Sequence, residues 1–367
     1  MSGRPYPVVA LTSNKGGVGK TTVAVNLAVL LRTLRPELPV LLIGLDDQDL
    51  IDRMFRLDDA APASDIAQAL RGGGLDAAIQ LGRHDVHYVP TSAAVADLKR
   101  EITHPTALAD ALQRSAWRGL VLIDTKSDLE ILTQNAIWAS DLSLVLVTDQ
   151  TALLEAEKVF RVLERWGRPR TRARVVLSLV DLRIKYDHHE HGDVLALLLS
   201  QIRARGLPLI ESFLSRSPRI EALNTNAEGR PLAIVGQAKG SLVHAQLRHL
   251  ANDVLRLLPE PGAVAEPPPE RRAAARRAYP GRLLAFREAA PRLIELQARD
   301  LSRAGLGAAG SEKLGIGERV HVALARADGR PLLLWARVVR ATPASALAFE
   351  APSSEAAAAL EAVLQAG

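Results

Sequence analysis

The stretch "LTSNKGGVGKTT" (residues 11–22) constrains the fold more than any other part of the chain. It follows the apolar, β-rich run "VVALTS" (8–13) and leads into a helical period over 21–35. The glycines at 16, 17 and 19 let backbone N–H groups converge on an anion with no Cβ in the way. The first turn of the following helix adds partial positive charge. Strand, glycine-rich loop and helix in that order are the context of a phosphate loop. The run Gly16, Gly17, Val18, Gly19, Lys20, Thr21 and Thr22 is therefore expected to cradle a nucleotide's phosphates. Lys20 would neutralise the terminal phosphates, and the Thr21 hydroxyl would coordinate Mg²⁺. One position departs from the usual pattern: Asn14 stands where a glycine is expected.

Six further strand-like runs lie at 39–45, 86–91, 119–124, 142–148, 174–180 and 207–214. Helical periods fall between or after them at 106–115, 129–139, 152–166, 193–205 and 241–258. Near-continuous apolar strands separated by helices predict an α/β fold, a doubly wound, mostly parallel sheet covered on both faces. "LPEPGAVAEPPPE" ends this pattern and reads as a semi-rigid linker. Beyond it, "PRLIELQARDLS", "ERVHVALARA", "LLLWARVVRA" and "ALAFEA" are short strands, with "GLGAAG" as a spacer. They predict a small C-terminal antiparallel β-barrel, closed by a helix in "SSEAAAALEAVLQ" with Ser353 or Ser354 as its cap. The expected organisation is thus 1–258, linker 259–270 and 271–367.

Composition narrows the setting. The 367 residues include no cysteine, which excludes disulfides and thiolate metal sites. The N-terminus has no apolar h-region, and no run is long enough for an integral membrane segment. A cytoplasmic protein is expected, able to visit the nucleoid, a pole or the inner-membrane surface. Residues 271–367 hold fifteen Lys and Arg against nine Asp and Glu, while the whole chain is only +5. The first 270 residues are therefore close to neutral, and the positive excess points to an anionic ligand for the C-terminal part.

"KGGVGKTT", with its second lysine at position 15, resembles the deviant phosphate loop of the ParA/MinD family of ATPases, and the resemblance extends over residues 7–258. It implies ATP and Mg²⁺ as cofactors, a homodimer formed on ATP, and a protein cargo or activator. Lys15 would reach the phosphates held by the other subunit. In "VLLIGLDDQDL" (40–50) the family's Asp-x-Asp-Pro-Gln becomes Gly44, Leu45, Asp46, Asp47 and Gln48. Asp46 would orient the attacking water, while a plain polar strand exit is the alternative. "RGLVLIDTKSDLE" (118–130) resembles the family's second acidic strand. Asp124 would hold Mg²⁺ through water, and Lys126 and Ser127 replace two prolines of the switch. Asp181 and Arg183 in "VVLSLVDLR" would lie near adenine. Arg216 and Arg219 match a segment that contacts DNA in ParA proteins, though solvated surface arginines explain them equally well. "YDHHEHGD" (186–193) holds His188, His189 and His191, but their spacing fits a polar loop better than a metal site.

After the linker, "RRAAARR" (271–277) and "DLSRAGLG" (300–307) together resemble the PilZ domain, which binds cyclic di-GMP. Arg272 and Arg276 fit its arginine pair, and Asp300, Ser302 and Gly305 fit its second motif. Arginines suit phosphate and guanine faces, and Asp and Ser suit a base edge. The combined expectation is a slow ATPase switch regulated by cyclic di-GMP. Gly44 and the altered switch leave a non-catalytic scaffold in play, and the arginines leave a nucleoid-binding partition ATPase.

Overall fold

The computed structural model describes residues 6–46, 50–57, 62, 64–186, 192–218, 233–234, 238–258, 277–287, 293–309, 314–315, 317–326, 331–340, 345–350 and 354–366. The expected linker at 259–270 lies outside them, as do Asp47, Gln48, Arg219, Arg272, Arg276 and the three histidines at 188, 189 and 191. The chain divides into two compact units.

In the first unit, β1 (Val8–Thr12) leads to α1 (Lys20–Leu34), β2 (Val40–Gly44) and α2 (Leu50–Phe55). Next come short pieces: α3 (Ile66–Gln68), α4 (Leu75–Ala78), β3 (Gln80–Leu81), β4 (His87–Val89), α5 (Val95–Glu101) and α6 (Ala107–Arg114). The unit continues with β5 (Leu120–Asp124), α7 (Ile131–Ala139), β6 (Leu142–Val147), α8 (Gln150–Arg165), β7 (Ala173–Val180), α9 (Val194–Ala204), β8 (Leu209–Ser215) and α10 (Leu242–Leu257). The strands form one sheet in the order β3-β4-β2-β5-β1-β6-β7-β8. Pairing is parallel from β4 through β8. Every residue of β1, β2, β5 and β6 is buried, as strands covered on both faces must be.

Local chemistry explains the covering helices. Asp149 caps α8 by accepting the Ala152 N–H at 2.9 Å. Ala152, Leu153, Ala156, Val159, Phe160 and Leu163 then bury one helical stripe against Val145, Val147, Val175 and Leu177. On another part of the sheet, Leu108, Leu112, Leu132 and Ala136 pack with Val8, Leu41, Ile43, Val121 and Ile123. From β1 the chain winds outward to β2 and β4, returns to β5, and then crosses to β6. This reversal at β1 opens a crevice at the strands' C-terminal ends, where such sheets bind ligands.

The second unit carries a closed antiparallel barrel in the order β10-β11-β14-β13-β12-β9. Its strands are β9 (Arg277–Arg287), β10 (Leu293–Ser302), β11 (Gly305–Ala309), β12 (Arg319–Ala325), β13 (Pro331–Arg340) and β14 (Ser345–Phe349). Alternate residues such as Val320, Val322 and Leu324 point inward. Helix α11 (Ser354–Ala366) adds Leu360, Val363 and Leu364 to that core.

Two expectations for the barrel need correction. "GLGAA" is a strand and not a spacer, because its glycines serve close packing. A Cβ on Gly305 would lie 2.1 Å from the Leu347 carbonyl oxygen, and one on Gly307 2.7 Å from an Asp300 carboxylate oxygen. The first strand, β9, is not among the expected strands, since Pro280 and Gly281 interrupt its pattern.

Candidate functional site: a phosphate loop between two strand exits

The loop after β1 takes its shape from two glycines with left-handed backbone. Gly17 has φ +73° and Gly19 φ +84°, so an L side chain at either would be strained. Gly19 is the N-cap of α1 and supplies no side-chain cap, which leaves the helix's first N–H groups to face a ligand. The loop and the end of β1 that leads into it are each held by a hydroxyl from a neighbouring strand exit. The Ser178 hydroxyl donates to the Val18 carbonyl at 2.9 Å, and the Thr125 hydroxyl donates to Leu11 O at 2.8 Å. Leu179, itself left-handed at φ 54°, packs beside Gly19. No local sequence signal marks the Ser178 contact, which lies where the β7–β8 register shifts between Leu177 and Val180.

Charged groups converge above the loop. Lys20 is buried, and its Nζ donates to the Ser127 Oγ at 2.6 Å. Burial lowers its pKa, against the opposing pull of Asp124, Asp46 and Asp128. Asp124 ends β5 fully buried, and burial pushes its carboxyl up to about 7 despite a hydrogen bond from Thr21 and the charge of Lys20. Its Oδ1 has no hydrogen-bond partner among the described residues. A buried, unsatisfied carboxylate oxygen beside a threonine hydroxyl suits a hard dication with oxygen ligands, so the residues present fit Mg²⁺.

The neighbouring strand exit is aligned by register. Gly44 pairs with Asp124, and the Leu45 amide donates to the Asp124 carbonyl at 2.9 Å. Asp46 comes next, with its Oδ1 3.7 Å from the Lys126 Nζ. Packing accounts for Gly44: a Cβ there would lie 2.9 Å from Ile51 Cδ1 and 3.0 Å from Thr91 Cγ2. Lys15, at the loop's start, pairs with Asp149 at 2.5 Å. Burial raises the Asp149 carboxyl, but hydrogen bonds from Lys15, the Ala152 amide and Thr148 outweigh it and leave it below its ordinary value. Asn14 donates to Glu155, so both departures at the head of the loop are tied to α8.

A family model described as an AAA domain matches residues 6–167. The chromosome partitioning protein ParA of Caulobacter vibrioides is 30% identical over 210 residues, covering 53% of this chain and 78% of that protein. The chain belongs to the ParA/MinD family of P-loop ATPases. The sporulation initiation inhibitor protein Soj of Bacillus subtilis is 32% identical over 164 residues, covering 40% of this chain and 60% of that one. In fold, the chain resembles the cell division ATPase MinD of Pyrococcus furiosus with a TM-score of 0.50 and 22% identity, covering 68% and 99% of the two chains.

Within this ParA/MinD framework, the remaining expected residues fall into separate groups. Asp181 and Arg183 sit just past β7 and bind each other. Arg183 donates to Asp181 from Nε at 2.8 Å and from Nη2 at 2.6 Å, which helps to hold the Asp181 carboxyl down at about 2. The Arg216 amide donates to the Val180 carbonyl at 2.9 Å, so Arg216 stands at the same end of the sheet. Asp149, Ser178 and Ser127 join the site without being among its expected residues. Of these, Asp149 alone carries a sequence signal, as an acidic cap before an apolar period.

In the barrel, Asp300, Ser302 and Gly305 share the β10–β11 hairpin. Asp300 Oδ1 accepts the Gly307 amide at 3.1 Å, and the buried Ser302 hydroxyl donates to the Gly305 carbonyl at 3.1 Å. Ser302 therefore holds the turn. No helix among the described residues is long and apolar enough to cross a membrane.

Proposed function

We propose that this chain is an ATP-dependent dimerising switch that hydrolyses ATP slowly, and that cyclic di-GMP acting on a C-terminal sensor biases its cycle. The observation that carries the ATPase reading is the convergence of Lys20, Thr21 and the unsatisfied oxygen of Asp124 over the positive-φ glycines of the loop. In this reading the loop amides and Lys20 bind the phosphates. Thr21 would hold Mg²⁺ directly and Asp124 through water, and the ion would supply charge neutralisation when bound. Asp46 orients the attacking water. Lys15 leaves Asp149 and offsets the charge of the partner subunit's nucleotide, which ties dimerisation to ATP. Asp181 and Arg183 flank the adenine.

The sensor reading assigns 271–367 to a PilZ-like domain and 1–258 to the ATPase. Its support is the six-stranded antiparallel barrel and the placing of Asp300, Ser302 and Gly305 on one hairpin. Arg272 and Arg276 would complete the site. Such a switch would position a protein cargo in the cytoplasm or at its boundaries. Light scattering with Mg·ATP, with and without cyclic di-GMP, tests both parts. A chain that stays monomeric with Mg·ATP sinks the switch, and cyclic di-GMP affinity unchanged by Arg272→Ala with Arg276→Ala sinks the sensor.

A second reading comes from Arg216 at the sheet's C-terminal end and from the partitioning role named for the Caulobacter relative. There the ATP dimer binds DNA without sequence preference through Arg216 and Arg219. It requires ATP-dependent, salt-sensitive binding to random duplex DNA that both substitutions abolish.

A further inference from the structure

Gly44 and Lys126, at the two strand exits, differ from the family pattern in the same sense of charge, each making its position more positive. An acid is absent at Gly44, and a base is present at Lys126 where the family carries proline. The register places these changes together. Gly44 pairs with Asp124, so Asp46 and Lys126 each stand two residues beyond a paired position. Their side chains meet at 3.7 Å, which is a charge contact rather than a hydrogen bond.

Lys126 extends from a backbone held on both sides. Before it, the Thr125 hydroxyl is bonded to Leu11 O at 2.8 Å. After it, Ser127 receives Lys20 at 2.6 Å. Asp128 accepts from Lys99 at 3.1 Å and from the Thr133 hydroxyl at 3.0 Å. The ammonium therefore has a defined root from which to reach Asp46. Asp46, Asp124 and Asp128 all act on Lys20. Like charges this close push one another apart unless a further cation offsets them.

We propose that Lys126 is a positioning residue for hydrolysis, holding the Asp46 carboxylate at the phosphate edge of the sheet. This role rests on the ATPase reading. Lys126 touches neither phosphate nor water in it. It fixes the direction of the group that does, and it makes the setting of Asp46 depend on the loop after β5.

Steady-state ATPase kinetics of the full chain test the proposal. Lys126→Ala should lower kcat about tenfold, because a misplaced water-orienting group loses rate rather than affinity. KM for ATP should stay within about twofold. Lys126→Arg should recover most of the lost rate. In an Asp46→Ala background, Lys126→Ala should cost nothing further, since the two act as one unit. A Lys126→Ala enzyme as fast as wild type overturns the proposal, as does a Lys126→Arg enzyme no better than Lys126→Ala. Wild-type chain without Mg·ATP turnover removes the ATPase reading and this role with it. Wild-type turnover with an unaffected Lys126→Ala variant removes the positioning role alone.

Discussion

The phosphate loop and the strand exits that face it are held in different ways. In the loop the determining features lie in the backbone: positive φ at Gly17 and Gly19, and carbonyls of Val18 and Leu11 gripped by Ser178 and Thr125. At the exits of β2 and β5 they lie in side chains that meet across the register, Asp46 with Lys126. A backbone cradle tolerates little variation, because each N–H must point at the same anion. Side-chain pairs can be exchanged one at a time. On the ATPase reading, phosphate binding is thus the fixed part of this site, and the pace of hydrolysis is the adjustable part.

The largest effect should come from the fixed part. Lys20→Ala should weaken ATP binding by about a hundredfold or more, read by titration with a fluorescent ATP analogue, because on the ATPase reading it removes the buried cation that binds the phosphates. Affinity within a few fold of wild type would break the contrast. Next comes Gly44→Asp, which restores the acid that the family carries. With buried Ile51 and half-buried Thr91 in the way, it should destabilise the fold by about 1–3 kcal/mol in a denaturant titration. Adding Ile51→Val should recover part of that loss, whereas full stability in the single variant would mean the space was never closed.

A third test uses pH. In the metal-free chain Asp124 titrates near 7 rather than 3.8, so the folded state binds a proton that the unfolded state has released. Its contribution to stability is therefore greatest below about pH 4, falls through the window up to about 7, and is level above it. Asp124→Asn should flatten this slope and stabilise the metal-free chain at pH 8. Unchanged thermal melting profiles across that range would place the carboxylate in contact with solvent. The smallest effect belongs to Asp149→Asn, which keeps the cap on Ala152 but drops the charge that holds Lys15. The pair is partly exposed and worth less than about 1 kcal/mol, so the ATP needed for dimerisation should fall no more than about fivefold.

The sheet is legible in the sequence because its strands are apolar runs buried on both faces, and each of the seven expected strands is present within two residues of its expected ends. The short helices between 50 and 101 are not, since pieces such as α3 and α4 are too brief for a periodic signal. In the barrel, Gly305 and Gly307 look like turn residues because a sequence does not show what backbone or carboxylate approaches them. At the site, the loop is readable from its spacing alone. The contacts of Lys126 with Asp46 and of Lys15 with Asp149 join residues far apart in sequence, and only the parallel order of the strands brings them together.

One contact in the barrel has a mechanical consequence. Arg277, the first residue of β9, donates to the carbonyl of Leu364 at 2.9 Å, and Leu360, Val363 and Leu364 fill the barrel's core. The strand by which the chain enters is therefore latched to the helix that stoppers the far end of its path. A pull at residue 277 thus loads the helix together with β10, whose Leu301 pairs with Arg277. Entry strand and helix are clamped to each other, so whatever unseats the helix also frees the first residue of β9 from it.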